Sequence, residues 1–174
     1  MIKILLLIPL VLSFSCNSNQ KIIANQNLEH VQSNCPNDGV CTFEASRQKS
    51  ITISQSSLGE MYPEINNGDK ILLKFEYKRN EIQNVMDSSY NEIIYIEVDP
   101  DNIEMNLKDS ELENVKLIFA RFCYCKGQTG YYLVENGNLS IKKVNGTSYQ
   151  LSLEFKVSEV PQIISSIQEV FDFK

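Results

Sequence analysis

The 174 residues carry 16 Lys and Arg against 22 Asp and Glu, a formal net charge of −6 with a pI near 4.9, which argues against nucleic acid as a partner. A content of 43% hydrophobic and 22% charged residues is that of a globular chain, long enough to bury roughly 70% of its unfolded surface in one core. Trp is absent and His30 is the single His, which removes the usual residue for acid/base work near neutral pH and the commonest metal ligand.

Lys3 precedes a nine-residue apolar run, Ile4 to Leu12, that ends in Ser13-Phe14-Ser15-Cys16. The run is too short to span a bilayer, which takes ~20 apolar residues, and it has the length of a signal-peptide core before a small residue. The segment Leu12-Ser13-Phe14-Ser15-Cys16 resembles the signal of bacterial lipoproteins, although Ser13 and Phe14 depart from the strict pattern. The resemblance implies a cut after residue 15, lipid on Cys16 and a membrane anchor in the cell envelope, on the periplasmic face of the outer membrane. Loss of Lys3 would leave a mature chain of charge −7, too acidic to adhere to anionic lipid without that anchor. Residues 17–34, rich in Asn, Gln and Ser, read as a tether, and His30 falls inside it. The organisation expected is a signal peptide over 1–15, lipidated Cys and tether over 16–34, and one β-rich domain over 35–174.

Four further cysteines, Cys35, Cys41, Cys123 and Cys125, make an even number in an exported chain and read as two disulfides rather than a zinc site. In a regular strand the side chains of Cys123 and Cys125 would lie about 6.5–7 Å apart, so the pair 35/41 is expected to bond to the pair 123/125.

The body reads as strands. Val40 to Ser46 and Ser50 to Gln55, around Arg47-Gln48-Lys49, suggest a hairpin. Lys70 to Lys78 alternates after a turn-rich stretch with Pro63 and Asn66-Asn67-Gly68-Asp69. Tyr90 to Val98 follows, then Ile103, Met105 and Leu107 after a break at Asp99-Pro100-Asp101-Asn102, a segment that reads as a solvated turn rather than a cation loop. Val115 to Cys125 is apolar on both faces and reads as central. Tyr131 to Glu135, Leu139 to Val144 and Ser148 to Val157 come next, with Asn136-Gly137 and Asn145-Gly146 as turns. Ile163, Ile164, Ile167, Val170 and Phe171 recur at three and four, which predicts a closing helix over 159–171 capped by Ser158. The fold class expected is mainly β: an antiparallel sandwich or barrel of about nine strands with one C-terminal α-helix.

No catalytic constellation, cofactor motif or metal motif is legible: there is no Gly-x-Ser-x-Gly elbow, no phosphate loop and no His in the body. The densest run of unusual residues is Arg121 to Tyr132. Arg121, Tyr124, Tyr131 and Tyr132 are its candidate partner-binding residues, with Arg121 expected to meet a carboxylate or look out of an opening. The expected function is that of a non-enzymatic binding or structural module. The alternative is a carrier of a small apolar ligand, since strands followed by a helix look like the lipocalin plan, though its Gly-x-Trp signature cannot exist without Trp.

Overall fold

The computed structural model describes residues 35–173, so Cys16, His30, the signal-like run and the tether lie outside the described residues. Among the described residues nine strands form two antiparallel sheets: β1 (Gly39–Gln55), β2 (Met61–Arg79), β3 (Tyr90–Val98), β4 (Met105–Lys108), β5 (Lys116–Cys123), β6 (Gly130–Leu133), β7 (Asn136–Asn145), β8 (Ser148–Lys156) and β9 (Ser166–Asp172). One sheet runs β1-β2-β3-β5-β6 and the other β4-β7-β8-β9. A 3₁₀ turn, Asp109–Asn114, lies between β4 and β5.

Alternation decides which side chains enter the core. Leu73 and Phe75 of β2, Ile94 and Ile96 of β3, and Leu117 and Phe119 of β5 meet Leu139, Ile141, Leu151 and Leu153 of the second sheet in one buried apolar cluster. Both faces of β3 and β5 in the five-stranded sheet are covered. Its other face carries a smaller cluster of Leu72, Ile93, Tyr95, Ile118 and Ala120, sealed by Ile51 from the far end of β1. The reading of β5 as a central strand with two covered faces holds.

Ile51 reaches that position because β1 is one long bent strand, a correction to the hairpin expected at Arg47-Gln48-Lys49. Gln48 takes a positive φ of 57° and the register shifts there, with Arg47 opposite Ile71 and Lys49 opposite Asn67. Gly68 faces the bend, and a Cβ at that position would collide with the Ser50 side chain. The folded-over end is clipped at one backbone: the Ile51 N–H donates to Glu97 Oε2 at 2.5 Å and the Lys116 ammonium donates to the Ile51 carbonyl at 2.6 Å. Glu97 and Lys116 are themselves paired at 2.8 Å. The turn-rich stretch around Pro63 and Asn66-Asn67 therefore lies within β2, whose real hairpin partner is β1.

Asn136-Gly137 is likewise no hairpin turn. It opens β7, after Val134 and Glu135 have carried the chain from one sheet to the other. A Cβ on Gly137 would strike the Glu154 carbonyl of the neighbouring strand, and its N–H donates to the Asp109 carboxylate at 3.1 Å. Asn145-Gly146 does turn the chain, with Gly146 at φ 35° between β7 and β8.

The closing helix over 159–171 is overturned: β9 takes Ser166–Asp172 and pairs with β8 along its length, while residues before it have no regular structure. Ile167, Glu169 and Phe171 are its buried positions, a period of two that a charged residue in the middle conceals. Ser158 caps nothing helical. The helix is lost because the backbone N–H groups of Ile163 and Ile164, needed for helical bonds, donate instead to the Glu92 carboxylate of β3, each at 2.7 Å. Gln162 completes the substitution, accepting from the Val157 N–H at 2.6 Å and donating to the carbonyls of Phe155 and Ile164. No helix among the described residues is long and apolar enough to cross a membrane.

Both disulfides are local, Cys35–Cys41 and Cys123–Cys125, so the cross-pairing expected from strand geometry is also overturned. Regular strand structure ends at Cys123, and a bend at Tyr124 brings the Cα atoms of Cys123 and Cys125 to 5.2 Å, inside bridging range. Cys35 and Cys41 straddle a turn in which the Gly39 N–H bonds the Pro36 carbonyl, leaving their Cα atoms 5.7 Å apart.

Candidate partner-binding surface

At the end of the five-stranded sheet where β5 stops, the inward face changes from apolar to polar. Tyr77, Tyr90, Glu92 and Arg121 occupy consecutive inward positions of β2, β3 and β5, and Glu92 lies opposite Arg121 in register. The Tyr90 hydroxyl donates to Glu92 at 2.5 Å and accepts from Arg121 Nε at 3.1 Å, so the tyrosine bridges the buried acid and the buried base. Burial first, then the Glu92 carboxylate, push the Tyr90 phenol up to about 12. Its ring is flanked by two guanidinium groups, Arg79 at 4.4 Å and Arg121 at 5.2 Å. Arg79 continues to Asp38 at 3.3 Å, an ion pair in which the Nε–H is not aligned for a hydrogen bond. Asp38 also accepts from the Tyr77 hydroxyl at 2.8 Å.

Arg121 is only 6% exposed, so it is no recognition residue. Its partner is also not the carboxylate expected from sequence: beyond the Tyr90 hydroxyl, its Nη1 donates to the Gln128 carbonyl at 2.9 Å and to the Gln128 side-chain oxygen at 3.1 Å. The consequence is positional, because Gln128 belongs to the loop of residues 124–129 between β5 and β6. Thr129 fixes the other side of that loop, its hydroxyl accepting from the Cys123 N–H at 3.1 Å and donating to the Cys123 carbonyl at 2.9 Å. Gly127, at φ 70°, lets the loop close with the Gln128 N–H on the Cys125 carbonyl.

The loop so held presents Tyr124, 80% exposed, beside a groove of about 350 Å³ whose walls include Met86, Tyr90, Phe122, Cys123 and Tyr124. Met86 is 98% exposed, and Ile82 and Val85 of the same β2–β3 connection are also exposed. Tyr131 lies on the outer face of β6 with its ring edge-on to Phe122 at 5.4 Å, whereas Tyr132 points inward towards Phe119. A second groove of about 410 Å³, between the β1–β2 hairpin tip and β6, is lined by Met61, Tyr62, Phe122, Tyr131 and Tyr132. Phe122 and Thr129 border both grooves. Of the four candidates named from sequence, Tyr124, Tyr131 and Tyr132 thus line two adjoining grooves and Arg121 supports them from beneath. Sequence reading missed Met86, Phe122 and the buried Glu92. Only the apolar triplet Ile82, Val85 and Met86 in an otherwise polar connection could have drawn attention there.

A cleft of about 660 Å³ lies elsewhere, between the 3₁₀ turn and the β6–β7 crossing, with Leu112, Val115, Leu117 and Leu133 among its walls. No group of three or more His, Cys, Asp or Glu side chains among the described residues is placed to hold a metal ion. In the former cation-like segment, Asp99 accepts from Lys70 at 2.8 Å and from the Asp101 N–H at 3.0 Å, and the Lys70 bond holds its carboxyl below the usual range. Comparison with protein-family models, with curated proteins and with solved structures returns no match for this chain.

Proposed function

We infer that this chain is a lipid-anchored protein of the bacterial cell envelope, held through Cys16 on the periplasmic face of the outer membrane. Its body is a β-sandwich that acts by binding an envelope protein rather than by catalysis. The observation that carries the reading is the exposed apolar rim of Met86 and Tyr124 over a groove floored by Phe122, held on a loop that Arg121 and Thr129 fix. Largely exposed apolar side chains beside a concave, pre-formed groove are the surface a protein segment would cover. A non-catalytic reading is supported by the use of three buried ionisable groups, since Glu92, Tyr90 and Arg121 spend their hydrogen bonds on one another and on the Gln128, Ile163 and Ile164 backbone.

Two parallel measurements test the reading. Fatty-acid labelling should be lost in Cys16→Ser together with membrane retention, and unchanged retention would remove the anchor. Affinity capture from envelope extract should recover a protein with the wild-type chain that Met86→Asp fails to recover. Identical recovery by both would remove the groove.

A second reading, a carrier of a small apolar ligand, is favoured by the 660 Å³ cleft, whose size suits such a ligand and whose walls set Leu112, Val115, Leu117 and Leu133 beside Asp109, Glu113, Lys116 and Glu135. Lipid extraction of the purified chain decides between the two. A stoichiometric ligand lost on Leu133→Asp would favour the carrier.

A further inference from the structure

The geometry points to the Cys123–Cys125 disulfide as an exchangeable one, which passes its oxidation to a cysteine-bearing peptide seated in the groove beside Tyr124. The inference rests on the groove reading above and names the chemistry of its occupant.

Three features carry it. The bond closes a loop of only three residues, so it removes little conformational freedom from the unfolded chain and is a poor staple. The same loop is held without it, by Thr129 on both backbone groups of Cys123 and by Arg121 on Gln128, so a reduced pair would stay juxtaposed and ready to close again. The bond also sits at an opening: Cys123 lines the 350 Å³ groove and the intervening Tyr124 is largely solvent-exposed. The other disulfide closes a seven-residue loop, and although Cys41 also lines a cleft, of about 310 Å³, it differs in packing. Cys35 and Cys41 both pack against the main apolar cluster, whereas of the second pair only Cys123 does.

This asymmetry assigns the roles of the two sulfurs. A peptide thiolate attacks Sγ of Cys125, the less packed sulfur, and forms a mixed disulfide while the Cys123–Cys125 bond breaks. The electron pair of that bond leaves on Cys123, two residues from Arg121 on the same strand face, and Lys126 follows directly after Cys125. A second thiol of the peptide then attacks its own mixed-disulfide sulfur, which expels Cys125. The products are a peptide disulfide and two protein thiols, with two electrons and two protons transferred from peptide to protein. No further oxidant is needed for this single exchange.

The test uses the purified full chain. It is equilibrated in glutathione buffers of graded reduced-to-oxidised ratio, free thiols are trapped by alkylation, and the labelled cysteines are located by peptide mapping. Cys123 and Cys125 should become alkylated in a buffer at least tenfold less reducing than Cys35 and Cys41 require, with circular dichroism unchanged. Mixed with a synthetic peptide that carries two cysteines among apolar residues, the oxidised chain should yield peptide disulfide in equal amount to the newly labelled Cys123 and Cys125. Acid-quenched intermediates should carry the peptide on Cys125. Opening of both disulfides at one ratio, opening of Cys123–Cys125 only upon unfolding, or absence of peptide disulfide would each overturn the inference. The groove reading is separated by two variants. Capture of the same envelope protein by Cys123→Ser/Cys125→Ser would keep the groove while exchange is lost. Met86→Asp should slow the peptide at least tenfold while leaving glutathione exchange unaltered, and equal slowing of both would overturn seating of the peptide in the groove.

Discussion

Replacement of Glu92 by Gln probes the bond set that replaces the expected helix. The carboxylate is fully buried and accepts three donors: the N–H groups of Ile163 and Ile164 and the Tyr90 hydroxyl. Gln keeps the volume but turns one acceptor oxygen into an NH₂ group. At least one backbone N–H then faces a donor, which forfeits a charge-assisted bond of about 1.5–3 kcal/mol and strands a buried N–H at a cost of about 1–3 kcal/mol. Removing a buried charge recovers part of this, so a net loss of about 3 kcal/mol is expected. For a domain of this size that lowers Tm by roughly 10 °C. Tyr90→Phe removes the hydroxyl that donates to Glu92 and accepts from Arg121 Nε, and should cost about 2 kcal/mol. Thermal and urea melts of the purified variants measure both, and amide exchange should accelerate at Ile163 and Ile164 in Glu92→Gln. A melting temperature within 2 °C of wild type, with those amides still protected, would refute the role given to Glu92.

Tyr90 also predicts an alkaline limit. Its folded pKa of about 12 exceeds the ordinary value near 10, so the unfolded chain loses the proton first. The stability this contributes, on the order of 2 kcal/mol, is present below pH 10 and is lost as pH rises from 10 to 12; urea melts across that range should show the fall, and Tyr90→Phe should flatten it. Ile167→Ala truncates a buried side chain of β9 and should cost roughly 2–5 kcal/mol by thermal melt. Cys35→Ser/Cys41→Ser opens a seven-residue loop and should cost about 2 kcal/mol, with non-reducing peptide maps of the wild-type chain recovering 35–41 and 123–125 as separate linked pairs.

Local pattern was enough to read most strands. Tyr90 to Val98 coincides with β3 residue for residue, Val115 to Cys125 holds β5, and Asn145-Gly146 turns β7 into β8, because alternation and turn chemistry are properties of neighbours in the chain. The mainly β character and the pairing of cysteines into disulfides were also legible, whereas the count of nine strands agrees only because the expected hairpin of 40–46 and 50–55 is one strand and β9 stands where a helix was expected. Where the answer depended on a distant residue, the sequence could not supply it. Ile163, Ile164 and Ile167 fit a helical stripe until Glu92, more than seventy positions earlier, takes two of the N–H groups that a helix would use. Arg47-Gln48-Lys49 looks like a turn until Glu97 and Lys116 clip Ile51 and show it to be a bend within one strand. Tyr124, Tyr131 and Tyr132 were visible as aromatic residues in an unusual run, but their juxtaposition with Met86, and the withdrawal of Arg121 beneath them, were decided by tertiary packing. Periodicity reports which residues are apolar, whereas hydrogen-bond satisfaction across the fold decides which backbone groups remain free to build the element that periodicity suggests.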